Sequence, residues 1–277
     1  MILCPFEGCG DAYLMGRLFD EYLRKERIDT EYIVIQPSEV GGRILKLFGI
    51  APIECISCEE KNAILAFGAF IGFTAANMTV FHFNSGIHTG IMNCVEGIHN
   101  IDFFSMFSLG RLNLDVLALR VPHFVAGAFL KRKLIGQGVR EGKTVILFPR
   151  SNSIPSPSEE FWKKLSIELK RKGYIVCTNV IYDEEPVYGT IPLQIPIEEI
   201  EGTLCFAGCF IGSRSGICEV VSSVDCKKIV IYPYGYRWGS GYVDEYFNIR
   251  NMQLCADMIE ISYSQEKMLL AQILCHF

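Results

Sequence analysis

The chain has 277 residues, half of them hydrophobic, and a formal net charge of -5 at neutral pH. That length is expected to form two medium-sized domains, and an acidic balance supplies no global basic field, which argues against a nucleic-acid backbone as the main partner. Twelve cysteines are scattered through apolar runs such as Leu204-Cys205-Phe206, in a chain too large for a disulfide-stapled fold, and read as reduced thiols.

Met1 to Phe6 has no basic lead and no long apolar stretch before Glu7 and Asp11, so it does not read as a signal peptide, and the chain is expected in the cytoplasm. It reads as a short buried strand, broken by the turn Glu7-Gly8-Cys9-Gly10. A helix over 11–25 follows, with Leu14, Leu18 and Tyr22 beside Met15, Phe19 and Leu23 at helical spacing, and then a strand over 31–36. Strand, glycine turn, helix and strand in that order open a parallel sheet. Residues 63–73 and 79–83 are expected as buried strands, 86–97 as a helix and 115–119 as a strand. The apolar run over 63–76 is too short and too rich in glycine to span a bilayer, and the sequon Asn77-Met78-Thr79 has no meaning without a secretory route.

A second α/β series begins after a basic segment containing Lys131, Arg132, Lys133 and Arg140, and the domain boundary is expected near Gly138. The strand 144–148 is followed by a Pro/Ser/Asn loop over 149–158. A helix over 159–172 comes next, capped by Ser158 and carrying Phe161, Leu165 and Leu169 on one face. Strands over 174–179, 209–212 and 228–232 alternate with helices over 196–207 and 216–223. The fold class is therefore α/β, with two Rossmann-like parallel-sheet domains at 1–138 and 139–260. A helix over 262–277 is expected to pack back across them.

The most informative stretch is Phe210-Ile211-Gly212-Ser213-Arg214-Ser215-Gly216-Ile217-Cys218-Glu219, a strand that turns through small residues directly into a helix. Backbone N–H groups left unsatisfied at a helix start make an anion site, to which Ser213 and Ser215 add hydroxyls, Gly212 and Gly216 add room, and Arg214 adds a charged fork. The plainer alternative is that Ser215 caps the helix and Gly216 makes the turn. The loop over 149–158 is expected to open on the same side.

These residues resemble the GT-B class of nucleotide-sugar glycosyltransferases, nearest the heptosyltransferase-like family 9. The resemblance rests on Gly10-Asp11 opening the first helix, on Phe148-Pro149-Arg150-Ser151, on Phe161-Trp162 and on the turn from Ser213 to Gly216. Where that family has Asp before its Ser-Gly pair and His three residues after it, this chain has Arg214 and Glu219. The Ser-Arg-Ser-Gly form is more similar to the donor turn of GT-B fucosyltransferases.

The resemblance implies an N-terminal domain that holds a glycan or lipid-linked acceptor, a C-terminal domain that holds a nucleotide-diphosphate sugar, and transfer in the cleft between them during cell-surface polysaccharide synthesis. Asp11 falls where the family has its general base; a carboxylate beside a helix N-terminus has its charged form favoured and can take the acceptor's hydroxyl proton. Ser151, Ser213, Arg214, Ser215 and Gly216 would meet the donor phosphates, Arg150 and Glu219 the nucleotide, and Gly10, Asn84 and His88 the acceptor, with no metal and no cofactor. The basic residue that the family often has ahead of its helix tryptophan is missing from Ser153-Ile154-Pro155-Ser156-Pro157. The chain is also shorter than most such enzymes, so an acceptor-side element is expected to be trimmed.

Cys55-Ile56-Ser57-Cys58 has zinc-knuckle spacing without a second pair, and its nearest histidine is His82, so it reads as two cysteines. No nucleophile elbow or Walker loop occurs, and Gly8-Cys9-Gly10 lacks the third glycine of a dinucleotide fingerprint. The basic segment over 124–140 reads either as a solvated helix face or as a peripheral contact with an anionic membrane. A non-catalytic nucleotide- or sugar-binding protein of degenerate GT-B fold is the alternative function, and an epimerase or hydrolase of sugar nucleotides is a third.

Overall fold

In the computed structural model, residues 1–29, 31–72, 77–81, 119–124, 127–238, 241–250, 252 and 254–277 are described. They belong to two compact units, 1–123 and 124–277.

The first unit is built on a parallel sheet of β1 (Ile2–Leu3), β2 (Val34–Gln36), β3 (Ile53–Cys55) and β4 (Thr79–Val80), in the order β3-β2-β1-β4. Leu3 pairs with both Ile35 and Val80, which puts β1 at the point where the chain reverses its direction across the sheet. Helix α1 (Cys9–Lys25) buries Leu14, Met15, Leu18, Phe19 and Tyr22, the stripe that the 3.6-residue period predicts. It packs on α2 (Glu39–Leu47), where Gly16 leaves room for the Phe48 ring and Tyr13 meets that ring edge-on at 5.3 Å.

Residues 63–71 of the run expected as a strand over 63–73 lie instead in α3 (Cys58–Ile71). A capping box starts this helix: the Ser57 hydroxyl accepts from the Glu60 N–H at 3.1 Å, while Glu60 accepts from the Ser57 N–H at 2.7 Å. The helix expected over 86–97, the strand expected at 115–119 up to residue 118, and His82 lie outside the described residues.

The second unit begins with α4 (Ala128–Gly136), whose Leu130 and Leu134 are buried and which packs on α6 (Ile200–Ala207). The division between units therefore falls at His123, ahead of α4, rather than at Gly138. Six parallel strands follow: β5 (Thr144–Phe148), β6 (Ile175–Asn179), β7 (Ile191–Leu193), β8 (Gly208–Ser213), β9 (Lys227–Pro233) and β12 (Ile259–Tyr263). Their order, β12-β9-β8-β5-β6-β7, is that of a doubly wound sheet. A two-residue antiparallel pair, β10 (Arg237–Trp238) with β11 (Gly241–Tyr242), leads into the short helix α8 (Val243–Tyr246).

One face of the six-stranded sheet presents Val145, Leu147, Ile211, Ile229 and Ile231 to Phe161, Trp162, Leu165 and Leu169 of α5 (Glu159–Arg171) and to Leu269 and Ile273 of α9 (Glu266–Leu274). The C-terminal segment thus opens as strand β12 at Ile259, and its helix joins the core beside α5.

Candidate functional site

From the middle of the second sheet, β5, β6 and β7 run to one side and β8, β9 and β12 to the other. The loops leaving the carboxyl ends of β5 and β8 diverge there, and open parallel sheets take their ligands in the crevice such divergence makes. The two loops carry Pro149-Arg150-Ser151 and Ser213-Arg214-Ser215-Gly216, and the Ser213 hydroxyl ties them by donating to the Pro149 carbonyl at 3.1 Å. The Phe148 ring, at the end of β5, meets the Phe210 ring at a tilt, 4.9 Å between centroids. A Cβ on Gly212 would lie 2.5 Å from the Phe210 ring, so this glycine serves the packing and not, as its sequence context suggested, the approach of a phosphate.

Beyond β8 the chain enters α7 (Ile217–Val221), shorter than the helix expected over 216–223. Gly216 is its N-cap in an ordinary right-handed conformation, and the Ser215 hydroxyl donates back to the Ser213 carbonyl at 3.3 Å instead of capping. The Arg214 N–H is taken by Ile231 and the Cys218 N–H by Ser215, both at 2.9 Å. Between them, among the described residues, the backbone N–H groups of Ser215, Gly216 and Ile217 make no hydrogen bond, and all three residues are partly exposed. Three successive free donors at a turn can together meet an anion.

Arg214 is committed elsewhere. It is 4% exposed, and its guanidinium grips Glu219 in a two-pronged pair at 2.9 and 2.5 Å. It donates further to the carbonyls of Ser215 at 2.7 Å and Phe247 at 2.8 Å. Burial works against its charge, but the Glu219 carboxylate, with Tyr232 and Cys218, outweighs that effect and holds its pKa above the usual value. The charged fork expected to meet phosphate is thus an internal brace, and Glu219, expected to reach a ribose hydroxyl, is 5% exposed with both carboxylate oxygens on Arg214. An arginine beside a buried carboxylate gains more from that pair than from solvent-separated contact with a ligand.

A second brace was not foreseen. Glu260 of β12 accepts from the N–H groups of Ile249 at 2.6 Å and Arg250 at 3.2 Å, and from the Tyr232 hydroxyl at 2.5 Å. Burial first, and the neighbouring Glu260, push the Tyr232 phenol well above its usual pKa, against the pull of Arg214. Arg214 thus fastens Phe247 to the turn, and Glu260 fastens Ile249 and Arg250 to β12 and β9. A charged residue alternating with isoleucines in Ile259-Glu260-Ile261 was the available signal.

On the β5 side, the Ser151 hydroxyl accepts from the Ile154 N–H at 3.3 Å and stays partly exposed. Arg150 leans toward the connection after β6, donating to the Glu185 carbonyl at 2.9 Å and pairing with Glu184 at 3.4 Å, with 47% of its side chain still exposed.

In the first unit, Asp11 is the third residue of α1, beside the carboxyl end of β1. Its Oδ2 folds back over the N-cap Gly8, where a Cβ would meet it at 2.5 Å, and the helix start favours its negative charge. Gly10 lies buried in the same first turn. Asn84 and His88 lie outside the described residues. Cys55 and Cys58 are both exposed; Glu7, which pairs with Lys61 at 2.7 Å and also accepts from Cys58, is held below the usual carboxylate range by Lys61 first. Among the described residues no three His, Cys, Asp or Glu side chains are grouped to hold a metal ion.

No protein-family model matches this sequence, and no curated protein matches it. Solved structures do. The chain is similar over 99% of its length to 88% of a glycosyl transferase of family 9 from Veillonella parvula, with a TM-score of 0.56 and 11% identity. Over 99% it follows 97% of the E. coli ADP-heptose lps heptosyltransferase II, at a TM-score of 0.59 and 10% identity. Over its whole length it follows 99% of the E. coli heptosyltransferase WaaC solved with ADP-2-deoxy-2-fluoro heptose, at 0.55 and 10%. At such identities the likeness establishes the fold alone: two parallel-sheet α/β sets, of four and six strands, matching those of these GT-B-like proteins.

Proposed function

We propose that this protein is a glycosyltransferase that binds a nucleoside-diphosphate sugar at the turn after β8 and transfers the sugar to a glycan or lipid-linked acceptor in polysaccharide synthesis. The observation that carries the reading is the run of three free backbone N–H groups at Ser215, Gly216 and Ile217, at the point where the second sheet reverses strand order. Fixed donors of this kind stabilise the charge that grows on a leaving diphosphate, because they need no reorganisation as it departs.

In this reading Ser151, Ser215 and Gly216 surround the phosphates and Arg150 reaches the nucleotide; Ser213, expected at the phosphates but buried with its hydroxyl on Pro149, joins Arg214 and Glu219 in holding the turn from beneath. Asp11 is the general base for the acceptor hydroxyl, with Gly10, Asn84 and His88 on the acceptor side. Neither metal nor cofactor takes part. The solved relatives carry ADP-sugars in their names, which makes ADP the first nucleotide to try.

The test is thermal stabilisation by a panel of nucleoside diphosphates. At a hundredfold excess over Kd, native-state binding adds about 2.7 kcal/mol, a rise of several degrees. Ser215→Asp, which sets a carboxylate against the donors, is expected to abolish the rise without lowering the melting temperature of the free protein. No rise with any nucleotide removes the reading. The non-catalytic alternative has its own support: the turn offers a diphosphate only neutral donors, since Arg214 is committed to Glu219. Asp11→Asn separates the two readings; retained nucleotide binding with lost transfer supports catalysis, whereas an unaltered protein that binds nucleotide and transfers no sugar to any acceptor supports binding alone.

A further inference from the structure

Helix α4 is amphipathic in an unusual sense. Its inner side buries Leu130 and Leu134, but its outer side is also apolar: Phe129 is 80% exposed and Ile135 61% exposed. Arg132 stands between them, exposed and without an ion pair among the described residues. Of the flanking lysines, Lys131 stays exposed beside Arg132 and Lys133 is partly buried. Lys131 leans to Glu141 at 3.5 Å and over the Phe206 ring, and Lys133 is pinned to Glu199 at 2.6 Å. No Asp or Glu occurs from Phe124 to Arg140, in a chain whose net charge is -5. A large aromatic ring held out in water, an aliphatic partner and an unpaired guanidinium between them call for an occupant that is apolar and anionic at once.

We propose that the outer face of α4 docks on an anionic lipid surface, with Phe129 and Ile135 entering the acyl boundary and Arg132 meeting the headgroup phosphates. Two features select a bilayer over a second copy of the chain. A nine-residue helix offers a footprint of roughly 14 by 10 Å, far below the ~800 Å² per partner that a stable protein interface needs. A bilayer makes no such demand, because each buried apolar side chain and each cation near an anionic surface adds to binding separately. The proposal stands on these residues alone and is independent of the nucleotide reading.

Co-sedimentation of the whole protein with vesicles tests it. We expect binding to vesicles of mixed phosphatidylcholine and phosphatidylglycerol, little to phosphatidylcholine alone, and weakening as salt rises. Arg132→Gln should weaken the anionic binding about fivefold, and the pair Phe129→Ser, Ile135→Ser should reduce it at least tenfold. Both positions are exposed, so the melting temperature of the variants should match that of the parent, which separates lost docking from lost folding. The proposal fails if the parent stays in the supernatant with both vesicle types, or if the double variant sediments as well as the parent. It also fails if light scattering shows a dimer that the double variant breaks, for then the face belongs to a second copy.

Discussion

Arg214 and Glu219 are each other's compensation in a region that excludes water, so neither can be removed alone at low cost. Arg214→Ala leaves a buried carboxylate with no partner and strips the Phe247 and Ser215 carbonyls of a donor; a loss of about 3–5 kcal/mol is expected in urea unfolding. Replacing both, Arg214→Met with Glu219→Leu, should recover most of that stability, since apolar substitutes for a buried ion pair are often neutral. Nucleotide stabilisation should stay weak in the double variant if the pair's task is to hold the turn. Here the sequence misled for a definable reason. An arginine among small polar residues after a strand reads as a ligand contact, and its true partner lies five positions on, across the turn, outside the helical spacings that such a reading scans.

Thiols give a second prediction at this scale. Cys55, Cys58, Cys205 and Cys275 are exposed, while Cys4, Cys177, Cys209 and Cys218 are buried. Burial pushes the thiols of Cys4 and Cys177 up to about 12 and that of Cys218 to about 11, against an ordinary value of 9.0. A native thiol held protonated adds stability that is intact below pH 9 and is lost as pH climbs toward those values, because the unfolded chain can ionise and the folded one cannot. The unfolding free energy should therefore fall between pH 9 and 11. At pH 8 a thiol reagent read by mass spectrometry should label the exposed group and spare the buried one.

Elements were legible where a single signal dominated. The stripe of α1, the cap and glycine stop of α5, and the runs that became β5, β6 and β9 all follow from periodicity and punctuation. Helix α3 was misread because an apolar run in its second half outweighed the capping box ahead of it, although Ser57-x-x-Glu60 is a start signal in its own right. Strand β12 was missed although Ile259, Ile261 and Tyr263 alternate with Glu260 and Ser262, because the helix that follows was extended back over it. The Ser158 cap shows how one element can hold another. Its hydroxyl accepts from the Phe161 N–H at 3.2 Å and donates to Glu266 of α9 at 2.7 Å, and its own N–H donates to Glu266 at 2.6 Å. Ser158→Ala should cost about 1–2 kcal/mol, at the upper end for a cap because the contact with α9 is lost too; Glu266→Gln, which leaves the cap in place, should cost less in the same urea titration.

At the scale of the whole chain, two sheets share one plan, with the first strand of each set at the reversal and its second and third strands stepping outward on one side. Among the described residues, the fourteen buried members of the cluster under α5 and α9, from Val145 to Ile273, all come from the second unit. Residues 124–277 expressed alone should therefore melt cooperatively, which calorimetry can read. If the turn after β8 holds the donor, the fragment should also show the same nucleotide-dependent rise in melting temperature as the full chain, because every residue assigned to the diphosphate lies within it. A fragment that melts cooperatively yet shows no rise, while the full chain does, would mean that the first unit supplies nucleotide contacts, and the assignment of donor to one sheet and acceptor to the other would fall. A fragment that shows the rise, together with an Asp11→Asn full chain that shows it equally, would separate donor binding from the carboxylate proposed to start the chemistry.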